Sequence, residues 1–426
     1  MNIKLENILA VISDDNGYEI KKTDIFIKDG VIFKVGGVKK DFIPEKIIDG
    51  KDKLVIPGLI NCHTHTYMSV FRNIADDLAF NDWLFKNIMP REDKLNFEDA
   101  YWGAMLACAE MIKSGTTCFL DMHMFKNQTA EAAVKSGMRA VISRGLSGES
   151  RDEDGAVRRI DEAFEEIERW EGNDRLSFML APHAIYTCGT DYIKYIIGKA
   201  RENRLSLHTH LSETRYEVEE SKKNYGMTPV KYLDSLGFFD VNTVAAHCVH
   251  LEDDDFKILK EKNVNTALNP LSNMKLGNGF APVFKLLESG INICLGTDSA
   301  ASNNSLNLFS DMNATALIHK GTGENAQAVN AFEVFKAATI NGAKALSINA
   351  GQIKEGKAAD LAILDLNCPQ LRPMNNLMAA LSYSANGSEV ETVIINGEIV
   401  MENRKLCFID ESEIYENVEK IAEKIK

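Results

Sequence analysis

Eight short apolar segments, each followed by a stretch with helical periodicity, constrain the fold of this chain more than any other feature. Strands of four to eight apolar residues that alternate with helices are typical of a parallel sheet. Eight such units over about 290 residues predict an α/β protein with a (β/α)₈ TIM barrel, whose active residues lie at the C-terminal ends of the strands. The predicted strands are Val55–Asn61, Thr117–Met122, Ala140–Arg144, Ser177–Pro182, Ser206–His210, Val244–Cys248, Asn265–Leu268 and Ile293–Thr297.

Both ends of the chain have a different pattern. Near the N-terminus, Asp29-Gly30 separates two apolar runs, and near the C-terminus Asn396-Gly397 does the same. Both dipeptides favour two-residue hairpin turns. We therefore predict a small β-sandwich domain built from residues 1–57 and 347–426, with residues 58–346 forming the barrel.

Composition excludes several classes of function. The chain has 426 residues, 45% of them apolar, and a net charge of −14, which argues against a nucleic-acid partner. It has neither a secretory signal pattern nor an apolar run near the about 20 residues needed to cross a bilayer, so we expect a cytoplasmic protein without a membrane partner. The eight cysteines include no Cys-x-x-Cys pair. This spacing predicts reduced thiols and argues against the deaminases with a His/Cys/Cys zinc site.

Polar residues follow several of the predicted strands. His63 and His65 are spaced i, i+2 at the end of the first, so both side chains point the same way. His183, His210, His247 and Asp298 end or follow later strands, and in a barrel all of these ends meet at one mouth. Nitrogen and carboxylate ligands without thiolates suit zinc, with iron, nickel or manganese as alternatives. The fourth strand ends without the lysine that a carbamate bridge would need, so we expect one divalent ion per subunit.

Two further residues at strand ends have alternative interpretations. His208 shares a face with His210 and could be a ligand, but it lies one layer deeper, so we interpret it as a core histidine. Arg144 ends the third strand, where burying a guanidinium without an anion is costly. An anionic part of a substrate could pair with it in bidentate geometry.

Five segments resemble one known family: PGLINCHTH, LHTHLSET, AAHCVH, SNMKLGNG and LGTDSAASNNSLNLF. They resemble the amidohydrolase superfamily, and within it the methylthioadenosine/S-adenosylhomocysteine deaminases and their chlorohydrolase relatives. The resemblance covers nearly the whole chain and implies the same fold. It implies metal ligands at His63, His65, His210 and Asp298, a proton shuttle at Glu213, and a catalytic histidine beside the nucleophilic water at His247.

The resemblance also implies substrate contacts. Glu92 corresponds to the residue that binds the ribose hydroxyls, His183 to the one that contacts a purine nitrogen, and Trp83 to an aromatic of the pocket. Glu213 and Asp298 meet the reacting part of the base. Arg144 corresponds to a residue that binds the homocysteine carboxylate, with Arg158 as the candidate second arginine. The implied partner is a small-molecule nucleoside, and the implied assembly is a homo-oligomer, either a dimer or a tetramer.

These observations predict metal-dependent hydrolytic deamination of adenine nucleosides, namely S-adenosylhomocysteine, methylthioadenosine or adenosine, to the inosyl products and ammonia. The first alternative is a related amidohydrolase that acts on guanine, another aminopurine or a triazine. The second is a non-catalytic scaffold, which should lack some of the ligands, whereas this chain has all of them.

Overall fold

The first part of the chain forms part of a mixed β-sheet. Its strands are β1 (Ile3–Ser13), β2 (Tyr18–Lys28), β3 (Val31–Val35), β4 (Lys46–Asp49) and β5 (Lys53–Pro57). In the computed structural model, which describes residues 1–37 and 42–426, β1 pairs with β2 antiparallel and with β4 and β5 in parallel. Asp29 and Gly30 join β2 to β3 with φ of 51° and 79°, so the predicted hairpin is confirmed.

The middle of the chain forms a second sheet that closes into the predicted barrel. Its strands are β6 (Leu59–Thr64), β7 (Thr116–His123), β8 (Arg139–Leu146), β9 (Leu176–Pro182), β10 (Ser206–Leu211), β11 (Thr243–His247), β12 (Asn265–Leu268) and β13 (Asn292–Leu295). Each strand is parallel to the next. Beyond β13, the Asp298 backbone N–H donates to the His63 carbonyl oxygen at 2.9 Å and joins the last strand to the first. The C-terminal ends of the strands therefore surround one mouth.

The C-terminal strands complete the first sheet. They are β14 (Leu361–Asp365), β15 (Val390–Ile395), β16 (Glu398–Glu402) and β17 (Lys405–Leu406). β14 pairs antiparallel with β5, which produces a nine-stranded sheet from both ends of the chain with its own buried apolar cluster. The predicted fold class, a (β/α)₈ barrel with a smaller β domain, is confirmed. The domain boundaries at 57/58 and 346/347 stay a prediction.

Helices cover the outside of the barrel. They are α1 (Met89–Glu92), α2 (Phe97–Lys113), α3 (Gln128–Ser136), α4 (Asp154–Arg169), α5 (Thr190–Asn203), α6 (Arg215–Tyr225), α7 (Pro229–Ser235), α8 (Asp253–Glu261), α9 (Pro270–Lys275), α10 (Val283–Glu288), α11 (Leu308–Thr322), α12 (Ala331–Ala337), α13 (Ile340–Ala345), α14 (Leu377–Tyr383) and α15 (Glu411–Ile425). A π-helix spans Asp82–Ile88, and short 3₁₀ helices span Thr66–Phe71, Phe238–Asp240 and Pro369–Leu371. No helix within the described ranges is long and apolar enough to cross a membrane.

The limits of α2 follow from its sequence. The Asn96 side chain accepts from the Asp99 N–H at 2.9 Å, and the Asp99 carboxylate accepts from the Asn96 N–H at 2.8 Å. This reciprocal capping box satisfies two of the N–H groups that have no partner inside a helix. Just beyond the helix, Gly115 has φ of 82°, a conformation that favours glycine.

One predicted barrel strand is wrong. Residues of the predicted strand Val55–Asn61 belong to two strands, because β5 ends at Pro57 in the nine-stranded sheet and β6 begins at Leu59 in the barrel. At Gly58, where the chain passes between the sheets, an added Cβ would lie 2.2 Å from the Thr117 side chain. Only glycine fits this close approach, and the barrel strand runs further than predicted, to Thr64.

Candidate active site

Five polar side chains converge at the mouth of the barrel. All five are buried: His63, His65, His210, His247 and Asp298. Nε2 of His65 lies 3.3 Å from Nε2 of His210, and the same atom lies 3.5 Å from Oδ1 of Asp298. Nε2 of His63 is also 3.5 Å from that oxygen, and the ligand atoms of His63, His210 and His247 lie within 4.8 Å of one another. The structure thus brings the four predicted ligands together and adds His247 to the cluster.

A chain of hydrogen bonds below the cluster sets the tautomer of His63. The Ser143 hydroxyl donates to the Asp121 carbonyl oxygen at 2.7 Å, so its oxygen accepts from Nδ1 of His208 at 3.1 Å. Nε2 of His208 then accepts from Nδ1 of His63 at 2.9 Å. The proton of His63 is therefore on Nδ1, and the lone pair of Nε2 points into the cluster. His208 supports His63 from the layer below, as its interpretation as a core histidine predicts.

His65 and His210 are oriented by backbone carbonyl groups. Nδ1 of His65 donates to the carbonyl oxygen of Met122 at 2.7 Å, and Nδ1 of His210 donates to that of His183 at 2.8 Å. Each bond leaves the Nε2 lone pair free toward the centre. Metal-binding histidines usually donate their second ring N–H to a carbonyl or carboxylate group in the same way.

His247 and Asp298 are oriented by side chains of α9 and of the loop after β13. Nδ1 of His247 donates to the Asn273 side-chain oxygen at 2.8 Å, and its Nε2 has no hydrogen-bond partner in the part of the chain that the structure describes. Oδ2 of Asp298 accepts from the Ser272 and Ser302 hydroxyls at 2.6 and 2.9 Å. Oδ1 of Asp298 is then left to face the histidines.

The electrostatics of the cluster suit a cation. Burial lowers the pKa of His63 to about 3 and that of His210 well below its usual value, so both rings are neutral. Burial alone would raise the pKa of Asp298, but His63, 3.5 Å away, and the other neighbouring histidines lower it well below its usual range, so the carboxylate is ionised. Nε2 of His63 is buried and has no hydrogen-bond partner among the described residues. Neutral imidazole nitrogens around one carboxylate oxygen fit a divalent metal ion.

Three strand ends at the cluster have unusual backbone conformations. Ser212 after β10, His247 at the end of β11 and Asp298 after β13 have φ of 51°, 73° and 61°. Residues other than glycine rarely have positive φ, and such strain concentrates at functional sites. The surrounding structure therefore stabilises, at these three residues, a backbone conformation that they would rarely adopt on their own.

Glu213 lies beside this cluster on the turn after β10. Its Oε2 is 3.9 Å from Nε2 of His247, and its Oε1 accepts from the Asn278 side-chain N–H at 2.9 Å. Burial and the charge of Asp298 raise the pKa of Glu213 well above its usual value, although the bond from Asn278 opposes this shift. A carboxyl group that keeps its proton near neutral pH can act as a general acid.

A cavity of about 150 Å³ extends from the cluster toward solvent. One wall is apolar and comes mainly from the segment around the π-helix: Phe80, Trp83, Leu84, Phe85, Ile88 and Met89. Polar groups of the same lining include Glu92, His183 and Tyr186. A mostly apolar cavity with a few convergent polar groups is typical of a small-molecule site.

The comparisons with known proteins agree with this geometry. The family model described as "Amidohydrolase family" matches residues 54–400. A 5-methylthioadenosine/S-adenosylhomocysteine deaminase from Caldanaerobacter subterraneus subsp. tengcongensis is 44% identical over 429 residues, which cover 100% of this chain and 99% of that protein. The chain belongs to the amidohydrolase family. The family prediction from the sequence motifs is therefore confirmed.

Two further relatives of this amidohydrolase are informative. A 5′-deoxyadenosine deaminase from Methanocaldococcus jannaschii is 46% identical over 407 residues, which cover 95% of this chain and 96% of that protein. Among solved structures, a zinc-bound adenosine deaminase from Xanthomonas campestris has a TM-score of 0.95 and 29% identity, and the match covers 99% and 98% of the two chains. The match spans the nine-stranded sheet as well as the barrel.

Five of the predicted substrate residues of this amidohydrolase line the cavity: Glu92, His183 and Trp83, together with Glu213 and Asp298. Glu92 accepts a short hydrogen bond from the Tyr67 hydroxyl, and burial raises the pKa of Glu92. Nδ1 of His183 is 3.0 Å from the Thr187 hydroxyl oxygen, and burial lowers the pKa of His183 to about 4, so the ring is neutral. Trp83 forms part of the apolar wall, and its indole N–H has no partner.

The two predicted tail-binding arginines are not in the lining of the cavity. Nη2 of Arg144 donates to Oε2 of Glu162 at 2.9 Å, so a carboxylate of the protein already supplies an anion for this buried guanidinium. Arg158 is largely exposed and donates to the other oxygen of Glu162 at 2.8 Å. Arg159 instead donates to the backbone oxygen of Ser147, a residue of the lining, at 2.8 Å. A role of Arg144 in binding a substrate tail stays a prediction.

Several residues of the site were missed by the sequence analysis. Tyr67 and Tyr186 line the cavity, and Ser272, Asn273 and Asn278 orient Asp298, His247 and Glu213. A signal was present, because the last three lie together in the segment SNMKLGNG, which carries part of the family resemblance. The partners of these residues lie on other strands, so their roles became visible only in the folded chain.

Proposed function

We propose that this amidohydrolase is a metal-dependent deaminase of adenine nucleosides that carry a modified 5′ position. Methylthioadenosine, S-adenosylhomocysteine and 5′-deoxyadenosine are the candidate substrates, with adenosine as a fourth. The products are the corresponding inosyl nucleosides and ammonia. The observation that carries the proposal is Glu213, a buried carboxyl group with a raised pKa, placed 3.9 Å from an unpartnered His247 nitrogen and beside a cation-binding cluster.

The metal would be held by His63, His65, His210 and Asp298, as one ion per subunit. Nitrogen and oxygen donors favour zinc, with iron, nickel or manganese as alternatives, and the solved Xanthomonas campestris relative contains zinc. When bound, such an ion acts as a Lewis acid that makes hydroxide available near neutral pH.

The side chains around the cluster can then move two protons. His247 keeps a neutral ring with its Nδ1 proton committed to Asn273, so its Nε2 can accept a proton from the attacking water. Asp298 is ionised and can orient the same water. Glu213 retains a proton that it can deliver to the ring nitrogen of the base. The proton that His247 took from water can then pass to the amino group, and Glu213 can assist the departure of ammonia by taking back a proton from the hydroxyl group that was added to the carbon.

The cavity wall suits the rest of the nucleoside. The Glu92 carboxylate can accept two hydrogen bonds from a vicinal diol, and His183 can contact a purine nitrogen. The apolar residues around Trp83 suit a 5′ substituent without charge, such as a methylthio group. For the tail of S-adenosylhomocysteine, the candidate cations are Arg144, which is paired with Glu162, and Arg159, which donates to the Ser147 carbonyl oxygen.

A substrate panel tests the proposal. Purified protein loaded with zinc is assayed for ammonia release from the four adenine nucleosides, guanine and a chlorotriazine. We expect the highest kcat/KM for one of the adenine nucleosides and loss of activity after chelation. A preference for guanine or the triazine would assign the chain to another branch of the family. A metal-loaded protein inactive on the whole panel would support the scaffold alternative. Light scattering of the same sample tests the expected dimer or tetramer.

A further inference from the structure

The turn that presents Glu213 is held by a second buried glutamate. Glu217 is 2% exposed, and each of its carboxylate oxygens accepts one backbone N–H. Oε1 accepts from Ser212 at 2.9 Å, and Oε2 accepts from Glu213 itself at 2.8 Å. The backbone at Ser212 has φ of 51°, so these two bonds stabilise a conformation that a serine rarely adopts. Glu217 therefore fixes the backbone from which the Glu213 side chain extends.

The hydrogen bonds of Glu217 differ from those of a glutamate in a capping box. The Thr214-x-x-Glu217 pattern at the start of α6 predicts a capping box, in which the glutamate accepts from the N–H of the capping residue. At the start of α2, Asn96 and Asp99 form such a box. In α6 the Thr214 side chain accepts from the Glu217 N–H at 3.1 Å, but the Glu217 carboxylate reaches past Thr214 to the two preceding residues. The glutamate that the sequence pattern assigns to a capping box therefore stabilises the backbone of Ser212 and Glu213 instead.

A second residue holds the side chain of Glu213. Asn278 is 8% exposed, and its side-chain N–H donates to Oε1 of Glu213 at 2.9 Å. The Asn278 backbone is itself fixed, because its N–H donates to the Asn273 carbonyl oxygen at 2.8 Å and its carbonyl oxygen accepts from Nε2 of His250 at 2.8 Å. The carbonyl oxygen of a neutral carboxyl group accepts better than its hydroxyl oxygen, so the donor at Oε1 favours the proton of a neutral Glu213 on Oε2. Oε2 is the oxygen that faces His247.

We propose that Glu217 and Asn278 are positioning residues that act through Glu213: Glu217 fixes its backbone, and Asn278 selects Oε2 as the oxygen that carries the transferred proton. This inference rests on the proposed function, in which Glu213 is the proton shuttle. Neither residue lines the cavity or belongs to the cluster of candidate metal ligands. Both should therefore affect proton transfer rather than the binding of metal or substrate.

Two substitutions of equal size test this inference. Asn278→Asp removes the donor to Oε1, and Glu217→Gln places an amide N–H against one of the two backbone N–H groups. We expect kcat to fall by about 10- to 100-fold, because small misplacement of a catalytic group has effects of this size. KM and metal content should stay close to wild type. The matched control is Glu389→Gln, at a buried glutamate that accepts the Asn386 N–H in a loop away from the cavity; its kcat should not change.

A double-mutant cycle separates positioning from a general structural role. If both residues act through Glu213, neither substitution should lower kcat further in a Glu213→Gln background. A further loss that multiplies with that of Glu213→Gln would overturn the inference, as would wild-type kcat in both single variants. If a substitution prevents folding, Asn278→Ala or Glu217→Ala enters the same cycle. Wild-type protein inactive on every nucleoside would instead contradict the proposed function itself.

Discussion

The hydrogen bond between His63 and His208 makes a specific prediction about metal affinity. His208→Phe keeps a ring of similar size in the barrel interior but removes the acceptor for Nδ1 of His63, now 2.9 Å away. His63 is fully buried, so its N–H would be left without water or another acceptor. The ring could regain stability by moving its proton to Nε2, but that tautomer has no lone pair toward the proposed ion.

The magnitude follows from the same bond. Leaving a buried donor unsatisfied costs about 1–3 kcal/mol, and losing a partner that orients a ligand typically lowers metal affinity by about 10- to 100-fold. We therefore expect His208→Phe to weaken zinc binding by a factor in that range. Because the predicted ligands themselves are unchanged, kcat at saturating zinc should stay within a few-fold of wild type.

Competition with a chromophoric chelator measures the zinc Kd, and ammonia release at saturating zinc measures kcat. His319→Phe is the control, since His319 is a half-buried histidine on α11 away from the cluster. An unchanged Kd in His208→Phe would refute the reasoning that this bond sets the tautomer of His63. A variant that binds no zinc at any concentration would show that His208 is itself a ligand.

The remaining predictions concern catalysis, substrate binding and stability. Glu213→Gln should keep its metal and bind substrate but lose about 10²–10⁴-fold in kcat; near wild-type turnover would reassign Glu213 to a structural role. Glu92→Gln should raise KM for ribonucleosides more than for their 2′-deoxy analogues, measured by steady-state kinetics on both. Arg144→Gln should lower kcat/KM for S-adenosylhomocysteine relative to methylthioadenosine if Arg144 binds the tail, and an equal fall for both would show that it only supports the barrel through Glu162. Burial raises the pKa of Asp311 from 3.8 to about 8, so the folded chain retains a proton that the unfolded chain releases, and stability falls as pH rises through this interval. Asp311→Asn should remove that decline, as measured by melting temperature against pH.

The barrel could be predicted from the sequence because its strands are buried on both faces and are therefore continuous apolar runs. The same property explains the error at Gly58. β5 and β6 are both apolar and are adjacent in the chain, so no change in hydrophobic pattern marks the passage from one sheet to the other. What separates them is the close approach of Gly58 to Thr117, a contact between residues 59 positions apart that periodicity cannot reveal.

The convergence of the histidines was predictable for a related reason. In a parallel barrel the C-terminal ends of all strands lie at the same mouth, so His63, His210 and His247 are expected to meet there. Their orientation was not predictable, because it depends on single hydrogen bonds from distant residues. Asn273 is 26 positions from His247, and His208 is 145 positions from His63.

Arg144 shows where a sound physical premise led to an incomplete conclusion. A guanidinium 5% exposed does need an anion, but the anion comes from Glu162 on α4. Glu162 is itself buried and also pairs with Arg158. A substrate carboxylate would therefore have to compete with Glu162 for Arg144, and the gain would be the difference between two similar charge pairings. If Arg144 binds the substrate tail, we therefore expect selectivity between S-adenosylhomocysteine and methylthioadenosine to depend on this competition, rather than on the presence of an arginine at the strand end.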